Sequence, residues 1–164
     1  MVFPSLLLIG LAGAPDTVPA DPCVARASAR AGAIEAFVVV PAMRARDTVV
    51  TAQVCVVPRT EVGGQRAKIG SYHGELRFDS TNARVLRVEK PAGGVRVENA
   101  RIAGAVRFAG AEPLGFQAGQ LLSVVLRVAK PGMRPVVRLT MIELNATDGT
   151  SLMKQLVTSA AKSP

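Results

Sequence analysis

The stretch Leu121-Leu122-Ser123-Val124-Val125-Leu126-Arg127-Val128 decides the fold. Leu122, Val124, Leu126 and Val128 recur at every second position, which places them on one face of an extended strand. Lys130-Pro131-Gly132 ends the run, because proline lacks the N–H that a sheet needs and glycine favours a turn. The same period lies on both sides. Tyr72, Gly74, Leu76 and Phe78 alternate with His73, Glu75 and Arg77 up to the turn Asp79-Ser80-Thr81-Asn82. Val137, Leu139 and Met141 repeat it, and Asp148-Gly149 is a hairpin signal before a last strand expected over Leu152 to Val157. Nearer the N-terminus, Ile34, Ala36, Val38 and Val40 share one face and end at Pro41. Val50, Ala52, Val54 and Val56 share the next, opened by Arg46-Asp47-Thr48 and closed by Pro58. Shorter strands are expected at Val85 to Val88, Val95 with Val97, Ile102, and Val106 with Phe108, and Arg59 to Lys68 reads as a loop. No segment of a dozen residues keeps helical periodicity between caps. Short strands at this spacing predict an all-β sandwich of two sheets.

The chain of 164 residues has room for one domain, and 49% apolar against 20% charged residues favours folding over disorder. Residues 3–14, FPSLLLIGLAGA, have the length of a signal-peptide core and are too short to span a bilayer comfortably. Val18-Pro19-Ala20 offers small residues for cleavage before Asp21. The expected organisation is a signal peptide at 1–20, a linker at 21–32, the sandwich at 33–158 and a frayed tail at 159–164. A buried N-terminal strand is the alternative for the first segment. Nothing later is apolar enough for a membrane span, so the chain is expected in the periplasm, outside the cell or at its surface. Cys23 and Cys55 are the two cysteines, and export would let them form a disulfide; two unpaired buried thiols are the other reading.

Twenty Lys and Arg against twelve Asp and Glu give +8, and fifteen of the basic residues are Arg. This is either a solvated basic surface or a surface for an anionic partner. Nucleic acid is disfavoured, since the basic residues come singly and one Tyr with five Phe offers few stacking platforms. Arg77, Arg96, Arg107, Arg127 and Arg138 each occupy a polar-phase position, so they form a candidate basic binding face if they share a sheet, and a divided solubilising set if they do not. Guanidinium forks suit carboxylates and sulfates. The absence of Trp argues against a flat neutral polysaccharide as ligand.

No catalytic constellation emerges. One histidine, His73, rules out a multi-histidine metal site, and neither a nucleophile elbow nor a phosphate loop occurs. Nothing selects a glycosidase pair from Glu75, Asp79, Glu89 and Glu98. Asn145 and Asp148 lack the alternating acids of a calcium loop and read as a plain hairpin. No cofactor or metal is expected, and the chain reads as a binding module rather than an enzyme.

Four stretches in order resemble the cohesin modules of bacterial extracellular assemblies. They are Arg46-Asp47-Thr48-Val49-Val50 leading to Val54 and Val56; Gly74-Glu75-Leu76-Arg77-Phe78-Asp79 followed by Val85-Leu86-Arg87-Val88; Ala118-Gly119-Gln120-Leu121-Leu122 leading to Leu126-Arg127-Val128; and Glu143 to Gly149. The likeness spans roughly residues 33 to 158. It implies a two-sheet jelly-roll β-sandwich of about nine strands. It also implies a protein partner, a dockerin-like calcium-loaded helical module, held on one sheet face in an assembly linked to polysaccharide breakdown. Direct binding of an anionic polysaccharide is the alternative.

Overall fold

The long alternating runs become long strands, because each has an apolar face that only a second sheet can cover. In chain order the strands are β1 (Ile34–Val39), β2 (Val49–Pro58), β3 (Glu61–Val62), β4 (Gln65–Arg66), β5 (Ile69–Phe78), β6 (Ala83–Glu89), β7 (Val95–Asn99), β8 (Ala105–Phe116), β9 (Gly119–Val128), β10 (Val137–Ala146) and β11 (Leu156–Thr158). A short helix, α1 (Pro22–Arg26), precedes them. The structure, a computed structural model, describes residues 22–28, 31–59, 61–62, 65–91 and 94–162, so the expected signal peptide lies outside the described residues.

Nine strands form two sheets, in the orders β11-β1-β2-β9-β6 and β10-β5-β8-β7, while β3 and β4 make a small hairpin within the expected loop at 59–68. Strand β11 runs parallel to β1; the other pairs are antiparallel. The sequence's apolar phases meet between the sheets. Ile34, Ala36 and Val38 from β1, Val50 to Val56 at alternate positions from β2, and Leu122, Val124, Leu126 and Val128 from β9 pack against Leu76, Val106, Val137, Leu139 and Met141. Each fully buried Val or Leu contributes about 1.5–3 kcal/mol.

Two glycines let the aromatics into this core. Gly74 lies opposite Phe108 and Gly110 opposite Tyr72 across the β5–β8 pair. A Cβ on Gly74 would stand 2.6 Å from the Phe108 ring, and one on Gly110 2.4 Å from the Tyr72 ring. Each ring therefore lies over the bare backbone of the neighbouring strand, and Tyr72 meets Phe116 edge-on at 6.1 Å.

A second apolar cluster lies outside the sandwich. Phe37 and Val39 of β1 and Cys55 and Val57 of β2 point away from the core, yet all are buried with Cys23 of α1. The Cys23–Cys55 disulfide ties the helix across this face, so the expectation of a pair holds. Residues 159–162, read from the sequence as part of a tail, instead follow β1: Ser159 N donates to Ala36 O and Lys162 N to Val38 O. Lys162 Nζ reaches the buried carboxylate of Glu35, donates to Arg26 O at 2.8 Å, and lies 4.3 Å from the centre of the Phe37 ring. Glu35 also accepts from Ser28 N at 2.6 Å and Ser159 Oγ at 2.6 Å. Both ends of the described chain thus roof one half of the five-stranded sheet, which is why β1 is buried on both faces.

Three expectations change. Ile102 lies in the turn before β8, not in a strand. The last strand shortens to β11, because a 3-10 turn, Met153–Gln155, follows buried Leu152. In β7 the phase is reversed: Val95 and Val97 face solvent, and Arg96 takes the inward phase. Pairing with β8 puts Arg96 opposite Gly110, beside Tyr72, and a strand's phase follows its register.

Candidate functional site

The outer face of the four-stranded sheet is built by residues whose neighbours fill the core. Leu76 and Val106 point inward, so Glu75, Arg77 and Arg107 point outward. Arg138 lies directly across from Arg77 and Thr140 across from Glu75, with Arg107 on the other side of Glu75. Both Arg77 Nε and Arg107 Nε donate to the Glu75 carboxylate, the latter at 2.8 Å. Glu75 is only 6% exposed beneath them. The hydrogen bonds from Arg107 and then Arg77 hold its carboxyl below the usual carboxylate range. Two arginines share one carboxylate and Arg138 stands across from Arg77, which leaves a local excess of positive charge.

Toward the β7 edge the same face turns apolar. Val95 is 68% and Val97 62% exposed, and both pair with small residues, Ala111 and Ala109. His73, half-buried, lies between Ala109 and Glu143 in register. Bulges extrude Ile142 from β10 and the segment around Leu114 from β8, and both side chains are exposed. Sequence reasoning missed the valines, since an apolar pair in a strand reads as core; the signal is the flanking Gly and Pro that mark an edge strand.

The five arginines singled out by the sequence are not brought together. Arg77, Arg107 and Arg138 share the face just described. Arg96 donates to Tyr72 Oη at 2.9 Å and to Pro91 O at 3.2 Å, with Glu112 4.0 Å away, at the rim of the core. Burial raises the Tyr72 phenol above its ordinary value despite that bond from Arg96. Arg127 stands on the outer face of the other sheet, directly opposite Arg84.

The remaining polar residues are engaged locally. Asp79 accepts from Thr81 N and Thr81 Oγ1 at 2.9 and 2.7 Å, and these bonds lower its carboxyl below the usual range. Glu89 pairs with Arg87 and Glu98 with Lys90. Asp148 accepts from Thr150 N in the hairpin turn, and Asn145 donates to Ser71 and Glu143. Among the described residues, no group of three or more His, Cys, Asp or Glu is placed to hold a metal ion. No helix of the described residues is long and apolar enough to cross a membrane.

Two facing sheets of five and four strands in this order have counterparts among solved structures. The non-cellulosomal cohesin of the hyperthermophilic archaeon Archaeoglobus fulgidus superposes with a TM-score of 0.60 at 17% identity, covering 82% of this chain and 90% of that one. This is the cohesin fold. The seventh ScaB type I cohesin of Pseudobacteroides cellulosolvens matches with a TM-score of 0.60 at 14% identity, covering 80% of this chain and 95% of that one. A chain of a type I cohesin–dockerin complex from Clostridium thermocellum matches at 0.58 and 15%, covering 84% and 96%. No family model matches the sequence, and no curated protein matches it. At these identities the likeness is one of cohesin fold, and the jelly-roll sandwich expected from the sequence is the structure found.

Proposed function

We propose that this chain is an exported, non-catalytic docking module that holds a protein partner of the dockerin kind on the outer face of its four-stranded sheet. One observation carries the reading: on the face of exposed Val95 and Val97, Arg77 and Arg107 are fixed on Glu75 and Arg138 stands across from Arg77. Stable protein contacts need apolar anchors at their centre and complementary charge to set orientation, and this surface offers both. Its basic excess suits an acidic partner. The cohesin fold supports the class of partner, since one matching structure is a cohesin–dockerin complex. The Cys23–Cys55 disulfide suits an oxidising compartment outside the cytoplasm, as export requires.

Capture of calcium-loaded dockerin modules by the immobilised chain, with and without EDTA, tests the reading. Wild type is expected to capture a dockerin in calcium and release it in EDTA. The double variant V97E/R138E, altered at two exposed positions, is expected to keep its circular dichroism and lose capture. Capture that ignores both EDTA and V97E/R138E sinks the proposal.

A further inference from the structure

The opposite face of the molecule carries a different charge arrangement. On β9 and β6, Arg127 and Arg84 are directly opposite each other and point outward, since their neighbours Leu126 and Val128 fill the core. Like charges directly across a strand pair are destabilising. In the other directly opposed arginine pair, Arg77 and Arg138, the Arg77 guanidinium is held by Glu75. Among the described residues, no carboxylate lies within 4.0 Å of Arg84 or Arg127. Asp79, in the turn next to them, has its oxygens turned to Thr81 and Asn82. The pair opens onto a depression of about 320 Å³ whose wall includes Ser80 and Thr81.

We infer that Arg84 and Arg127 form an oxyanion site for a sulfate or carboxylate group of an acidic polysaccharide, on the face opposite the proposed docking surface. Two adjacent guanidiniums supply a converging set of N–H donors, which matches the oxygens of a sulfate or a uronate carboxylate. A single bound anion carries one negative charge between two positive ones, which offsets the cross-strand repulsion. The surroundings favour a glycan over a protein. Continuing along β2, outward Thr51 and Gln53 are partly exposed and offer a hydroxyl and an amide, while Val125 and Ser123 opposite them on β9 are buried. Val49, beside Arg127, and Leu86, two residues along β6 from Arg84, are exposed apolar residues near the pair. Protein contacts rely on clustered apolar and aromatic anchors, and among the described residues no exposed aromatic ring stands beside the pair, whereas a hydrophilic polyanion needs none.

The test is calorimetric titration of the full chain with three probes: a heparin-derived hexasaccharide, an oligogalacturonate of similar length, and polyglutamate. Binding of either saccharide is expected, weakened at least about tenfold in R84Q/R127Q, as loss of two charge-assisted contacts implies. R77Q/R107Q is expected to bind as wild type does. The two saccharides separate sulfate from carboxylate as the preferred group. Unchanged saccharide affinity in R84Q/R127Q overturns the site, and so does loss confined to R77Q/R107Q. Polyglutamate binding as tightly, with the same sensitivity, overturns the glycan as ligand. The neutralised variant should melt no lower than wild type, because repulsion has been removed. Dockerin capture by R84Q/R127Q should persist, so the failure of either proposal leaves the other standing.

Discussion

The outer face of the four-stranded sheet anchors Arg77 and Arg107 on one carboxylate, whereas the exposed half of the five-stranded sheet sets Arg84 and Arg127 side by side with no carboxylate within 4.0 Å among the described residues. Both faces come from the same alternation of polar and apolar residues. What separates them is the residue that register places next door. Glu75 falls between Arg77 on its own strand and Arg107 on the next, so the guanidiniums are anchored and partly neutralised. Arg127 falls against Arg84, so positive charge is left to the solvent. The other half of the five-stranded sheet is not open at all, because α1, the disulfide and residues 159–162 cover it. A polar-phase position thus leads to a salt-bridged platform, an uncompensated pair or a buried ion pair, according to its neighbours.

The roofed half is the place to break this contrast most severely. Lys162→Met takes the Lys162 ammonium away from the buried Glu35 carboxylate, and breaking a buried pair in this way costs about 3–5 kcal/mol. Denaturant unfolding measures it; a loss below about 1 kcal/mol, the value of an exposed pair, would show that the roof is not closed.

Opening the disulfide in C23A/C55A should cost about 3 kcal/mol on the loop-entropy account. The effect should be lopsided. Amide exchange is expected to accelerate in β1 and β2 and to change little in β5 and β8, because only the former lie beneath α1. Equal acceleration in both sheets would merge the two regions that the structure separates.

The smallest effect is on the platform. Glu75 has a depressed carboxyl pKa in the folded state, so its pairing stabilises at neutral pH, and that contribution disappears as the pH falls through the folded value, below the usual glutamate range of about 4.3. In Glu75→Gln the acid-side loss should be shallower by this amount. Superimposable melting-temperature profiles for wild type and variant would show that Arg77 and Arg107 do not hold the charged form.

Much of the fold was legible because its strands announce themselves. Ile34 to Val40, Val50 to Val56, Tyr72 to Phe78 and Leu122 to Val128 carry apolar residues at period two, and all point inward as read. The site was legible only in part. Arg77, Arg107 and Arg138 were placed in the outward phase correctly, but nothing local to Arg96 says that Tyr72, 24 positions away, will accept its hydrogen bond. Nor does anything near Arg127 name Arg84 as its neighbour. Glu35 looks like an outward strand residue until Ser28, Ser159 and Lys162 close over it.

By itself, then, the sequence determined the strands, their inward faces and the two-sheet sandwich, because strand periodicity and turn chemistry are local properties of the chain. Only the tertiary structure decided which strands neighbour one another. That choice reversed the phase of β7, bound residues 159–162 along β1, and set each of Arg77, Arg96, Arg107, Arg127 and Arg138 beside a carboxylate, a phenol or another arginine. Charge pairing acts over a few ångströms in space, and the residues concerned lie tens of positions apart in the chain.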